Sequence, residues 1–329
     1  MIAPGPRNAI TDVPGILVGN AEDHGLVTGT TVVLPEEPAV CAVDHRGGGI
    51  GSRDTLTLAA GSVIDRIHAL CLSGGSAYGL DAAGGAMHGL RAMGRGFEIG
   101  SVIVPIVPQA IIFDLMTGTE RTWDHPPWWE LGRKALQAAG SEFAQGNTGA
   151  GLGATAGPLK GGLGTASYRL PEYTVGALAI ANPVGGCVIP GTDTFWSWML
   201  EQGGELGSQK PPETALQNID PTVPVASPGA NTTLVVVATD ATLDRNTAQR
   251  IAIMAQDGLA RAIRPVHGPL DGDTVFVLST GRAQALPTLS DVTRLGSLAA
   301  DVAARAIARG VYEAESLAGF PSYRQRHVG

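Results

Sequence analysis

Two adjacent threonines, Thr232 and Thr233, stand in the stretch "GANTTLVVVATD", where a polar loop gives way to an uncharged apolar run. Three readings fit this pair. Threonine is at home on the pleated surface of a strand edge. Asn231-Thr232-Thr233 also matches the acceptor pattern for N-glycosylation. The third reading is nucleophilic, because a threonine hydroxyl attacks a carbonyl when a base lies within hydrogen-bond reach. Cleavage of the peptide bond before Thr232 would give that residue its own base, since an α-amino group titrates near about 7.7–8.0. Nucleophile and base would then share one residue, the N-terminal threonine variant of triad logic.

Asp271-Gly272-Asp273 precedes a second apolar run at 274–278 and has three readings of its own. A D-x-D at a strand entrance makes a turn, a metal site would need further ligands that the neighbouring sequence does not supply, and two carboxylates can orient and hold the charge of a nearby amine. Other motifs are weaker. Gly151-Leu152-Gly153-Ala154-Thr155-Ala156 fits the loose dinucleotide pattern, but it follows the polar stretch "QGNTGA" where a strand is required. No H-E-x-x-H, C-x-x-C or G-x-S-x-G occurs. His45, His68, His88 and His267 are scattered and read as structural. The tryptophans fall in two groups, "TWDHPPWWE" (Trp123, Trp128, Trp129) and "FWSW" (Trp196, Trp198), which read as packing or interface aromatics.

The elements that position these residues follow from periodicity. Short apolar runs bounded by Gly and Pro predict strands near 15–19, 30–34, 40–43, 69–72, 101–106, 175–180, 233–239 and 274–278. Residues 243–263 carry Ala248, Ile251, Ala252, Ala255, Leu259 and Ala262 on one helical stripe, with Thr242 as the expected N-cap. A second helix is expected over 291–317, with Ser290 as cap and Leu295, Leu298, Val302, Ala306 and Val311 in phase. A third is expected after Tyr78, through "GLDAAGGAMHGLRAMG". Strands and helices in mixed order predict an α/β or α+β layered class. Residues 201–229 are polar, rich in Pro and Gly, and resemble a linker that ends just before the threonine pair.

Composition narrows the function. The net charge is −8, from 30 acidic and 22 basic residues with no basic run, which argues against a nucleic-acid partner. The apolar runs are too short and Pro-interrupted to span a bilayer, and "MIAPGPRNAITDVPG" has no signal-peptide core. Three widely spaced cysteines (Cys41, Cys71, Cys187) read as reduced thiols of a cytoplasmic protein. That compartment weakens the glycosylation reading. The 46 glycines, about twice average usage, lie in aperiodic clusters that predict tight turns and close backbone approaches.

Nearly the whole chain, in order, resembles the self-processing L-aminopeptidase/D-amidase/esterase family, which includes β-peptidyl aminopeptidases and 6-aminohexanoate-oligomer (nylon-oligomer) hydrolases. The resemblance is carried by "ITDVPGILVGN", "AVDHRGGGIGSRDT", "CLSGGSAYGLDAAGG", "VPIVPQAIIFDL", "KGGLGTAS", "ANPVGG", "NTTLVVVATDA" and "RPVHGPLDGDTVF". It implies a four-layer αββα sandwich, similar to N-terminal-nucleophile hydrolases but differently connected. It implies a single domain, 1–329, that cuts itself between Asn231 and Thr232. The products are a larger subunit, 1–231, and a smaller one, 232–329, assembled into homo-oligomers of the processed heterodimer. Carried over by position, Thr232 is the nucleophile with its new amine as base. Asn182 and Tyr78 face the developing oxyanion, with Tyr78 also touching substrate. Asp271 and Asp273 orient the nucleophile and its ammonium, and Lys160 lies at the pocket side. Neither cofactor nor metal is implied. The aminopeptidase branch uses Ser and a Ser/Glu pair, whereas the Thr and the Asp-Gly-Asp here look more like the nylon-oligomer hydrolases. The expected reaction is hydrolysis of small amides or peptides through an acyl-enzyme. Alternatives are ω-amide endo-hydrolysis, acyl transfer like that of ornithine acetyltransferases, and a non-catalytic binding protein on the same scaffold.

Overall fold

The computed structural model describes residues 2–118, 122–212 and 231–328. Two sheets stack face to face. One has five strands in the order Ile16–Asp23, Thr28–Pro35, Leu70–Ser73, Gln109–Ile111, Ser52–Arg53. The other has six, in the order Gly162–Arg169, Thr174–Asn182, Thr232–Thr239, Thr274–Ser279, Ala39–His45, Arg66–Ile67. Helices α1 (Ala82–Ala92) and α2 (Trp128–Gln137) cover the first sheet, and α3 (Arg245–Ala262) and α4 (Leu289–Tyr312) cover the second.

Three apolar cores fill the three gaps between these layers, which is the αββα sandwich that the resemblance implies. Strand parity assigns side chains to the gaps, because successive residues point to opposite faces. Along Thr232–Thr239, Leu234, Val236 and Ala238 join the core between the sheets, while Val235 and Val237 join the core under α3 and α4. Both faces are buried, so the run reads as continuously apolar instead of alternating.

Small residues let the layers close. Ala177, Ala179 and Ala181 line the face of their strand that meets the Ala-rich α4. At Gly85 an added Cβ would lie 1.8 Å from the Trp129 carbonyl oxygen, so α1 and α2 touch through backbone.

The eight expected strands are present, seven of them in the two sheets. The run at 101–106 instead supplies Val102–Val104, which pairs with Phe97–Ile99 in a separate and largely exposed hairpin. Both cap expectations are corrected. Asp244, not Thr242, caps α3 by accepting from the Thr247 N–H. Thr288, not Ser290, caps α4 in a reciprocal pair with Asp291, and α4 ends at Tyr312 instead of 317. A carboxylate or hydroxyl three residues before its N–H partner closes the first turn, and both true caps satisfy that spacing. The expected linker lies outside the described residues over 213–229. Its first part is built on Glu201, which accepts from the N–H groups of Leu206, Ser208 and Gln209.

Candidate active site

The strands Thr174–Asn182 and Thr232–Thr239 run antiparallel with Asn182 directly opposite Thr232. Both residues share parity with the inter-sheet core, Asn182 with Leu178 and Ile180, and Thr232 with Leu234 and Val236. Their side chains therefore point together into the end of the gap between the sheets. Thr233 points to the other face, where its buried hydroxyl has no hydrogen-bond partner among the described residues. The two threonines are thus separated by parity alone.

Thr232 is buried, and its Oγ1 donates to the carbonyl oxygen of Asn231 at 2.5 Å. The Asn231 side chain is tied in turn, its Nδ2 donating to the Pro183 carbonyl at 3.1 Å. Asn182 is held at both ends of its amide. Its Oδ1 accepts the Thr155 N–H at 2.8 Å, which turns Nδ2 the other way, toward the Phe113 carbonyl at 3.3 Å. Phe113 follows the Gln109–Ile111 strand, so this contact joins the two sheets at the site.

Asp271 and Asp273 are both buried beside Thr232. Asp273 Oδ1 accepts the Thr233 N–H at 2.8 Å, and its Oδ2 accepts the His267 N–H at 3.0 Å and lies 2.9 Å from His267 Nδ1. Asp271 accepts N–H groups of Val184 and Gly268, each at 3.0 Å. Burial, and then the neighbouring Asp273 charge, push the Asp271 carboxyl up to about 6. The pair is a turn and also a cradle. The glycine-rich loop at 46–49 clamps it, with Gly49 N–H donating to the Asp271 carbonyl at 2.7 Å and Arg46 N–H to that of Asp273 at 3.0 Å. Among the described residues no group of three His, Cys, Asp or Glu is arranged to hold a metal ion.

Lys160 lies beneath the loop that carries Thr155. It is fully buried, and its Nζ donates to the carbonyls of Gly151 (3.1 Å), Ala154 (2.8 Å) and Gly161 (2.8 Å). It faces backbone, not an open pocket, because the loop at 151–161 folds back over it. Burial pulls its ammonium down to about 7, against the opposing pull of Asp114. The same loop carries Thr155, whose N–H orients Asn182, so Lys160 stiffens the support of Asn182. The dinucleotide-like glycines belong to this loop. A Cβ on Gly151 would meet the Leu163 nitrogen at 2.3 Å and one on Gly153 the Val27 carbonyl oxygen at 2.4 Å, so close packing accounts for both.

Tyr78 lies on the short helical turn Ser76–Asp81 that leaves the five-stranded sheet. Gly75, at φ +88°, makes the sharp exit, and its N–H is held by Asp114 Oδ1 at 2.8 Å. The residue is 53% exposed, and its ring packs against Trp123 (5.4 Å between centroids) and Trp128 (6.4 Å). Trp128 is itself buried and donates to Thr28 Oγ1. Trp123 and Trp128 therefore form a packed wall behind Tyr78, whereas Trp129 is exposed and lies against His88.

Sequence reasoning missed three contributors. His267 was read as structural, yet its ring is bonded to Asp273, and it holds φ +57°, unusual for a side-chain-bearing residue. The Asn231 amide and the Gly272 N–H were not singled out. The spacing H-x-x-x-D-x-D in "HGPLDGD" was the available signal for His267, because six residues of a tight loop bring it back on Asp273.

Residues 8–324 match the sequence profile of peptidase family S58. The chain is 44% identical to an uncharacterized aminopeptidase of Mycobacterium tuberculosis, over 98% of both lengths. It is 30% identical to a 6-aminohexanoate-oligomer endohydrolase of Agromyces, covering 88% of this chain and 82% of that one. In fold it is similar to a Burkholderia β-aminopeptidase, at TM-score 0.74 and 22% identity over 98% and 92% of the two chains. It is also similar to the L-aminopeptidase D-Ala-esterase/amidase of Ochrobactrum anthropi, described as a variant of the Ntn hydrolase fold, at TM-score 0.69 and 23% identity over 97% and 90%. The chain therefore belongs to peptidase family S58, and it is a hydrolase of peptide or amide bonds.

Proposed function

We propose that this chain cuts its own Asn231–Thr232 bond and then hydrolyses small amides or peptides with Thr232 as an N-terminal nucleophile. The observation that carries the proposal is the 2.5 Å contact between Thr232 Oγ1 and the carbonyl oxygen of the bond to be cut, at the first residue of a buried strand. The strand fixes the nucleophile while the preceding chain supplies the bond. After cleavage the α-amine of Thr232 takes the Oγ1 proton as the hydroxyl attacks substrate, then returns a proton to the leaving amine. Asn182 Nδ2, fixed by Thr155, faces the developing oxyanion, and the exposed Tyr78 hydroxyl contacts substrate or oxyanion from the opposite sheet. Asp273 holds the backbone immediately after the nucleophile, and Asp271 supplies negative charge beside the new ammonium. Lys160 acts on the supporting loop and not on substrate. A water then releases the acyl group.

The Thr and the Asp-Gly-Asp turn, together with a relative named as a 6-aminohexanoate-oligomer endohydrolase, favour ω-amide substrates as a second reading. Acyl transfer to an amine is a variant of the same chemistry. The processed heterodimers assemble into homo-oligomers in the cytoplasm, with no nucleic-acid or membrane partner.

The test is a denaturing gel with intact-mass analysis. Wild type is expected to give chains 1–231 and 232–329, and Thr232→Ala one chain without hydrolytic activity. A wild type that stays whole, or that cuts elsewhere while remaining active, refutes the proposal. An acyl-donor assay with and without added amines separates hydrolysis from transfer.

A further inference from the structure

The carbonyl oxygen of Asn231 has a second donor. The backbone N–H of Gly272, in the middle of the Asp-Gly-Asp turn, points at it from 3.1 Å. The local pairing is systematic, since Asn231 and Asp271 form a parallel bridge that brings the turn alongside the bond to be cut. Asn182, by contrast, gives its Nδ2 to Phe113 in this uncut chain and its Oδ1 to Thr155. The donor assigned to substrate turnover is thus not on the Asn231 carbonyl.

We infer that the Gly272 N–H is the oxyanion donor of self-cleavage, so that maturation and turnover use different donors. This rests on the reading that the Asn231–Thr232 bond is cut. Thr232 Oγ1 adds to the Asn231 carbonyl carbon, and the carbonyl electron pair moves onto its oxygen, where Gly272 N–H meets the charge. The hydroxyl proton passes to the Thr232 nitrogen as the C–N bond breaks and the oxyanion collapses to an ester. One water hydrolyses that ester, leaving a carboxylate on Asn231 and a free amine and hydroxyl on Thr232. A preorganised backbone N–H suits this step because it needs no reorganisation as charge develops.

Three further contacts aim the donor. The Asn231 amide, tied to Pro183, prevents the carbonyl from swinging away. Gly49 N–H holds the Asp271 carbonyl, the other half of the peptide unit that carries the Gly272 N–H. The Gly272 carbonyl accepts from Thr274 Oγ1 at 3.0 Å, which lies 2.9 Å from His45 Nδ1. The position also has to be glycine for a reason specific to the nucleophile. A Cβ there would lie 2.5 Å from Thr232 Oγ1 and 2.8 Å from the Gly49 carbonyl oxygen. The nucleophile occupies the space that a side chain would take.

The experiment compares the appearance of the 232–329 chain after synthesis of wild type and of a chain carrying glycolic acid at position 272, whose backbone ester replaces the N–H by an oxygen and adds no side chain. The expected result is a slowing of about 100-fold or more, the usual cost of losing one oxyanion donor. An ester chain that cuts at the wild-type rate overturns the inference. A wild type that never cuts instead refutes the self-cleavage reading on which it rests. Should the ester chain fail to fold, hydrogen exchange decides, with Thr232→Ala held as the uncut chain. The Gly272 amide is expected to exchange slowly there and faster in cut wild type, where residue 231 has left. Equally fast exchange in both overturns the inference.

Discussion

Replacing Lys160 with methionine tests the site's support through its protons. An ordinary lysine ammonium titrates at 10.5, whereas burial brings that of Lys160 down to about 7. Between these values the unfolded chain carries a proton that the folded chain has lost. Stability then rises with pH, because the state binding more protons is the unfolded one. Each pH unit in that interval is worth about 1.4 kcal/mol, and Lys160 is fully buried, so solvent screening removes little of it. From about pH 7 to about pH 8.5 the expected gain is roughly 2 kcal/mol. Above that window the buried thiols oppose it. Burial raises Cys41, Cys71 and Cys187, the last to about 12, so the unfolded chain loses thiol protons that the fold keeps. Lys160→Met shares the thiols and lacks the amine, so the difference between the two chains isolates Lys160. The assay is urea unfolding across that pH window, both chains carrying Thr232→Ala so that one intact chain unfolds. Parallel pH slopes would refute the burial argument. In the processed enzyme, the same substitution is expected to lower kcat with a smaller change in KM. The Gly151 and Ala154 carbonyls keep the Ala154 and Gly161 N–H groups as partners, so the loop loosens without collapsing.

Asn182→Ala is expected to reduce turnover by about 10²–10³ with KM changing much less, as for any lost oxyanion donor; steady-state kinetics on the processed enzyme check it. Arg305, fully buried, bonds Glu205 through Nε at 2.6 Å and Nη2 at 2.8 Å, and the two residues fall on opposite sides of the proposed cut. Arg305→Ala leaves a buried carboxylate without its main partner and is expected to cost about 3–5 kcal/mol, seen as separation of the two subunits at lower urea. Gly85→Ala is expected to destabilise by about 1–3 kcal/mol through overpacking between α1 and α2, with a lowered Tm and little change in the chemistry per folded molecule.

The sequence by itself determined a good deal. Residues 233–239 had to be a buried strand, because an uncharged run rich in valine has no other place, and the helical stripes of α3 and α4 had to face a sheet. The change from loop to strand at Asn231-Thr232 was legible for the same reason. Elements whose composition hides their state were not legible. Gly162–Arg169 is a full strand in the six-stranded sheet, yet its glycines carry no β signal. They serve α4, since a Cβ on Gly164 would lie 2.1 Å from the Ala306 carbonyl oxygen. The helix α2 was read only as an aromatic cluster, because its ten residues are too few to show a clear period.

Tertiary structure assembled the candidate site. Thr232, Asn182 and the Asp271–Asp273 turn are separated by tens of residues, and only strand order places them side by side. Parity then chooses Thr232 over Thr233, a distinction that depends on which face meets the second sheet. The surroundings of Lys160 were decided in the same way. Nothing in "LKGG" shows that three carbonyls of one folded loop enclose the ammonium. Residue type is a local property of the chain, whereas desolvation and the direction of a hydrogen bond arise only when distant segments pack.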